Sequence, residues 1–314
     1  MKFSLLNTSL ESANTGDKII VQSIINEFPE LDGAESISTH KFMSFESLTR
    51  ATSQDSLIVT GTNFLSSKPW PPAPWRFGPL ELLVTIRKVI MLGVGWRKYE
   101  GPLSLIQRLV YKIILNPQVP ISTRDQYSAD LLKSGGFWAL NTGCPTMWSL
   151  PDELPQLTYE TEVVSTVTDY AKNSVIDTLM LTKLAEMFKH VHVWPQSLGD
   201  VRYLKTLNLP KNCTVVTGEL ETFNTLVVGK AYVGTRLHAG IRAAQLGAPA
   251  LVVSIDNRAR EIGSDTLFPM IERSNLENTL EIAVEGLRKK ARVRINREEI
   301  SLYKAALRKF LFAD

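Results

Sequence analysis

Cysteine is nearly absent from this sequence: Cys144 and Cys213 are the only two in 314 residues. A scaffold held together by disulfides is excluded at that count. Met1 is not followed by a basic n-region and an apolar h-region, so the chain is expected to be cytoplasmic. No apolar run reaches the roughly 18 residues of a membrane span, and no transmembrane helix is predicted. Histidine is scarce too, with four residues; no His or Cys cluster shows metal-ligand spacing, and no metal is expected. Neither a GxGxxG nor a Walker loop is present, which removes dinucleotide and nucleoside-triphosphate cradles of those kinds. The net charge of +3 is too small to point to nucleic acid.

What remains is an ordinary globular composition, 44% hydrophobic and 21% charged. At this length two cores are expected. Apolar strands alternate with helices along the chain: Lys2 to Thr8 as strand, Lys18 to Phe28 as helix, Ser56 to Thr60 and Lys88 to Gly95 as strands. Pro151, Asp152, Glu153 and Pro155 read as a linker, after which the alternation restarts at Glu162. The expected architecture is α/β: two Rossmann-like doubly wound domains facing a cleft, residues 1–153 and 154–314, with two C-terminal helices counted in the second. Small polar residues close several strands where ligands bind in such sheets, among them Asn14, Gly16 and Asp17, then Asn63, then Arg124. Asp17 reads first as a helix cap and alternatively as a carboxylate beside a substrate. The Pro-rich stretch around Trp70, Trp75, Arg76 and Phe77 reads as a long loop, either a lid or a cover for the core.

The densest stretch is Val233 to Arg260. A short strand ends at the turn of Gly234 and Thr235; Arg236 to Leu246 is a helix, with Arg236, Leu237 and His238 in its first turn, and Gly247 and Pro249 stop it. Ala250 to Ile255 is a strand buried on both faces, followed by Asp256, Asn257, Arg258 and Glu261. A strand, turn and helix in this order aim backbone N–H groups at whatever lies above the turn, which makes an anion site. Taken singly, Arg236 and His238 are as well explained as surface and structural residues. Together, between two glycines, they favour function. From Lys68 to Lys133 the chain carries ten Lys/Arg against four acids, and from Arg288 to Lys309 nine against two. These basic faces are either solvated or suited to an anionic membrane surface.

The stretch GTRLHAGIRAAQLGAPALVVSIDNRAREI resembles the C-terminal signature of the polysaccharide pyruvyl transferase family. NTGDKIIVQSI, MLGVG, STRDQYSADLLKSGG and NTGCPTMWSLP are similar to further elements of that family, so the resemblance runs from about Asn14 to Ile262. Thr60-Gly61-Thr62-Asn63 departs from it, where a more glycine-rich turn is expected. The resemblance implies a glycosyltransferase-B type fold, phosphoenolpyruvate as donor and a pyruvate ketal on a surface-polysaccharide sugar as product. The first domain would take the acceptor and the second the donor. It implies no cofactor.

The donor's phosphate would fall to Arg236 and His238 and its carboxylate to Arg124 or Arg258. His238 is the candidate acid, and Asp17, Asp200 and Glu261 are the candidate bases. The basic segments suggest a lipid-diphosphate-linked acceptor and a peripheral place at the inner face of the cytoplasmic membrane. Two rival readings stand beside this one, a nucleotide-sugar glycosyltransferase of the same fold and a non-catalytic scaffold of a glycan assembly complex.

Overall fold

Val89, Ile90, Met91 and Leu92 are all buried, and so are Leu251, Val252 and Val253. Strands buried on both faces require helices on both sides, and such strands pair in parallel. The computed structural model describes residues 1–12, 14–69, 78–158 and 161–312. Two six-stranded parallel sheets carry the molecule. The expected α/β doubly wound, glycosyltransferase-B type class is met.

By contacts the chain forms two units. Unit 1 comprises residues 1–12, 20–148 and 296–314; unit 2 comprises 13–19 and 149–295. A single cut near 153 therefore misplaces two segments, as the first turn of the first helix goes with unit 2 and the last helix with unit 1.

In unit 1 the strands are β1 (Phe3–Asn7), β2 (Ser36–Ser38), β3 (Ser56–Leu65), β4 (Val89–Trp96), β5 (Ile121–Thr123) and β6 (Ala139–Asn141). Their order in the sheet is β2-β1-β3-β4-β5-β6. The helices that follow them are α1 (Thr15–Glu27), α2 (Phe45–Ser53), α3 (Pro79–Val84), α4 (Leu105–Ile114) and α5 (Gln126–Ser134). Side-chain caps fix several starts: Ser44, Ser104 and Asp125 each accept a backbone N–H of the following turn. Helix α1 begins at Thr15, which puts Asp17 inside its first turn. The aromatic loop expected at Trp70, Trp75, Arg76 and Phe77 lies outside the described residues.

Unit 2 contains β7 (Glu162–Ser165), β8 (His190–Val193), β9 (Cys213–Val215), β10 (Ala231–Gly234), β11 (Ala250–Ser254) and β12 (Met270–Glu272). Its helices are α6 (Ser174–Met187), α7 (Leu198–Leu204), α8 (Leu220–Val227), α9 (Leu237–Gln245), α10 (Asn257–Thr266) and α11 (Leu276–Gly286). The sheet order is β12-β11-β10-β7-β8-β9. The chain moves outward one way from β7, then returns to lay β10 on its other side. The gap between β7 and β10 is the topological switch point, and ligands in open parallel sheets bind beyond the carboxyl ends at such a point.

Helix α12 (Arg297–Phe312) closes unit 1. Ile300, Tyr303, Leu307 and Leu311 form its buried stripe at helical spacing. The Tyr303 hydroxyl donates to the Met91 carbonyl of β4 at 3.0 Å. Lys304 pairs with Glu27, and Arg308 with Glu30 at 3.1 Å. Part of the C-terminal basic run is thus spent on holding α12 in place. The first of the two C-terminal helices, α11, ends at Gly286.

Candidate functional site

The polar residues of unit 2 converge at the β7/β10 switch point. Strand β10 ends at Gly234 because no side chain fits there: a Cβ would lie 2.5 Å from Thr166 Oγ1 and 2.6 Å from the Thr166 backbone nitrogen. With the strands this close, side chains clamp the next residues. Arg236 N–H donates to Thr166 Oγ1 at 3.1 Å, the Tyr232 hydroxyl donates to the Arg236 carbonyl at 2.8 Å, and Thr168 and Thr235 hydroxyls meet at 2.8 Å. Arg236 is the residue before α9, which starts at Leu237, one position later than the sequence pattern suggests.

Arg236 is buried, and its guanidinium is pinned from behind. Nε donates to Asp200 Oδ2 at 3.1 Å; Nη2 donates to Asp200 Oδ1 at 2.5 Å and to Asp169 Oδ1 at 3.1 Å. Asp200 is fully buried and also accepts the backbone N–H groups of Asp169 and Gln196. Burial raises its carboxyl above the usual range, and the Arg236 guanidinium with the Asp169 N–H works against that rise. All of its hydrogen-bonding capacity is engaged inward. Asp200, expected among the candidate bases, is engaged by Arg236 and two backbone N–H groups.

Arg258 repeats the arrangement one strand over. Its Nε and Nη2 donate to Asp256 Oδ2 at 3.1 and 2.5 Å. Asp256 also caps α10 through the N–H groups of Arg258 and Ala259. Burial acts to lower the Arg258 guanidinium, but the Asp256 carboxylate outweighs it and holds the group firmly charged. Tyr170 lies between the two cations, its ring centroid 5.1 Å from Arg236 Cζ and 5.8 Å from Arg258 Cζ. The Tyr170 hydroxyl accepts from Arg258 Nη2 at 2.5 Å and points its proton at Asp256. Among the described residues, Nη1 of Arg236 and Nη1 of Arg258 engage no partner.

A small open pocket lies over these groups. Seven expected residues line it: Asn14, Thr235, Arg236, Leu237, His238, Asp256 and Arg258. His238 sits in the first turn of α9, where free backbone N–H groups add positive potential. Gly234 and Asn257 do not line it but are chain neighbours of residues that do. Gly16 packs on the Gln196 side chain, 2.7 Å from where its Cβ would be. Asp17 is close enough for its charge to act on Arg258. Glu261, a candidate base from the sequence, is one turn further along α10 and does not line the pocket. Arg124 and Asn63 belong to unit 1, where Arg124 Nη1 donates to Asn63 Oδ1 at 2.9 Å and Nε to Asp125 at 3.2 Å.

Three participants went unread in the sequence. Asp169 and Tyr170 stand in the loop after β7, and Gln196 follows β8. Gln196 ties the Asn14 segment to the site: its Nε2 donates to Asn14 Oδ1 at 2.5 Å and its carbonyl accepts Thr15 N–H at 3.2 Å. Its buried Oε1 has no hydrogen-bond partner among the described residues. The signal that would have found them is strand order, since β7 borders β10.

Among the described residues no group of three His, Cys, Asp or Glu is placed to hold a metal ion, and no helix is long and apolar enough to cross a membrane.

The chain is similar in fold to UDP-GlcNAc 2-epimerase of Methanocaldococcus jannaschii, solved with UDP-GlcNAc and UDP (TM-score 0.59, 11% identity, 98% of this chain and 99% of that one). It is also similar to MnaA of S. aureus, solved with UDP (0.61, 11%, 99% and 97%), and to the 2-epimerase of Neisseria meningitidis (0.55, 14%, 98% and 100%). At these identities the likeness concerns the fold alone. A search of curated proteins gives no match. The profile of the polysaccharide pyruvyl transferases matches residues 14–257, which take in the Asn14 turn, ten of the twelve strands and the pocket residues from Asn14 to Asp256. The chain belongs to the polysaccharide pyruvyl transferase family.

Proposed function

We propose that the protein transfers pyruvate from phosphoenolpyruvate to two hydroxyls of one sugar in a surface-polysaccharide precursor, with release of inorganic phosphate. The observation that carries this reading is the pair of pinned guanidiniums. Arg236 and Arg258 are each held by a carboxylate through Nε and Nη2, and both line the pocket. Two fixed donors suit a small molecule with an anion at each end.

In this reading Arg236 and the first turn of α9 take the phosphate, and Arg258 takes the carboxylate. One acceptor hydroxyl adds to the enol carbon while a proton is delivered to the methylene, which becomes the methyl group. The C–O bond to phosphate then breaks, with a proton from His238 on the leaving oxygen. The second hydroxyl closes the ketal on the oxocarbenium-like centre and gives up its proton. Of the carboxylates expected as base, Asp17 keeps a place beside the pocket; Asp200 is occupied and Glu261 stands away. No cofactor is required, because no electron sink is used. The acceptor is proposed to be lipid-linked.

Purified protein should release phosphate from phosphoenolpyruvate only when a glycan acceptor is present, and Arg236→Ala or Arg258→Ala should lower kcat/KM by about 100-fold or more. Turnover of a UDP-sugar with none of phosphoenolpyruvate would overturn the proposal in favour of a nucleotide-sugar transferase of the same fold. Unchanged turnover in both variants would remove the donor assignment.

A further inference from the structure

Two helices on one face of the unit 1 sheet are turned the wrong way for water. Both α3 and α4 pack on the same core cluster, through Leu82 and Val84 of α3 and through Tyr111 and Ile114 of α4. Their outer faces therefore look out on the same side of the unit. In α4 the buried positions include Gln107, 6% exposed, while Leu105 is 84% exposed, with Ile106 and Leu109 beside it. In α3 Glu81 is 4% exposed, engaged by the N–H groups of Met43 and Gly78, while Leu80 and Leu83 stand in solvent. A surface helix of a water-bound face places its polar residues outward, and single exposed leucines call for no explanation. Five large apolar residues on two helices of one face, with Gln107 and Glu81 turned inward, form a patch with a use.

Charge indicates the occupant. From residue 78 to 116 there are six Lys/Arg against two acids, Glu81 and Glu100. Glu81 is buried, and Glu100 accepts the Ser67 N–H at 2.7 Å. No acid stands between Glu100 and Asp125. Lys112 on α4 and Arg87 in the turn after α3 are exposed, and the Arg87 N–H donates to Ile113 O, joining that turn to α4. Trp138 is also exposed; it follows Phe137, whose ring packs edge-on to Tyr111 of α4 at 6.0 Å. Leucines and isoleucines, a neighbouring tryptophan and lysines or arginines with no exposed acid among them are the composition of a surface lying in a lipid headgroup layer.

We infer that the outer face of α3 and α4 docks on an anionic phospholipid surface, with Leu80, Leu83, Leu105, Ile106 and Leu109 entering the headgroup layer. This deepens the proposed function by placing the enzyme where a lipid-linked acceptor resides. It rests on that reading for its purpose, but vesicle binding involves no turnover, so its failure leaves the donor chemistry standing.

Flotation with vesicles of phosphatidylglycerol and phosphatidylcholine, against phosphatidylcholine alone, tests it at low salt. The protein should float with the anionic vesicles only, and Leu105→Asp with Leu109→Asp should weaken that binding by about tenfold or more. Lys112→Glu should weaken it further as salt is lowered, where charge counts most. Thermal melting of the double variant should match the parent, and if it does not, Leu80→Asp with Leu83→Asp decides on the same criterion. Failure of the parent to float, or flotation of a folded double variant equal to the parent, overturns the inference. So does sedimentation of the free protein as a dimer that the double variant converts to monomer, which would assign this face to a second copy of the chain.

Discussion

Arg236 and Asp200 act as one unit at the scale of single residues. Asp200→Asn keeps the shape but removes the charge that balances a buried guanidinium, and breaking such a pair costs about 3–5 kcal/mol. The expected outcome is a lower melting temperature together with a kcat/KM reduced by about ten- to 100-fold, since Arg236 loses its fixed direction. Equal activity at reduced stability would confine Asp200 to a structural role. The two cysteines give a second residue-level test. Cys144 is buried, and burial pushes the Cys213 thiol up to about 11. The thiolate is the reactive form, so alkylation of Cys213 at neutral pH should be slow and should quicken about tenfold per pH unit until pH nears that value. Fast labelling at pH 7 would show a different environment. Arg236, His238 and Arg258 were legible in the sequence because they fall in one stretch with its own turns. Asp169, Tyr170 and Gln196 were not, as each comes from a separate loop with no periodicity to mark it.

Elements explain why that stretch works. Strand β10 must approach β7 without a side chain at Gly234, and Gly234→Ala sets a Cβ against the backbone nitrogen of Thr166. Strain of this kind costs about 1–3 kcal/mol, and relief is available only by moving the β10–α9 turn that carries Arg236. The variant should fold, melt earlier and lose phosphoenolpyruvate turnover more than it loses stability; undiminished turnover would count against the placement of that turn. Strands β2 and β12 left no pattern to be read in advance. The direction of helix α4 was not legible. Period alone marks two faces without saying that Gln107 turns inward and Leu105 outward.

At the scale of the whole molecule, unit 1 is built from three separate stretches of chain and unit 2 from two. The linker at Pro151 was visible in composition. The return of α12 was not, because a helix with an apolar stripe fits either core. Each buried side chain of this size contributes about 1.5–3 kcal/mol, so removing Ile300, Tyr303, Leu307 and Leu311 approaches the whole margin of a domain, about 5–15 kcal/mol. A chain stopped after Ile295 should leave unit 1 open to limited proteolysis while fragments of unit 2 resist. Equal resistance of both would contradict the packing of α12 on β4.

That packing also sets an order of events on the ribosome. Residues 149–295 lie between the strand that Tyr303 covers and Tyr303 itself. At about 5–20 residues per second, their synthesis takes roughly 7–30 s. Unit 2 can complete its core in that interval, while the Met91 carbonyl of β4 waits for the Tyr303 hydroxyl of the helix that finishes its layer. The part of the chain translated first is therefore the last to close, and it is the part that chaperones and proteases have longest to meet.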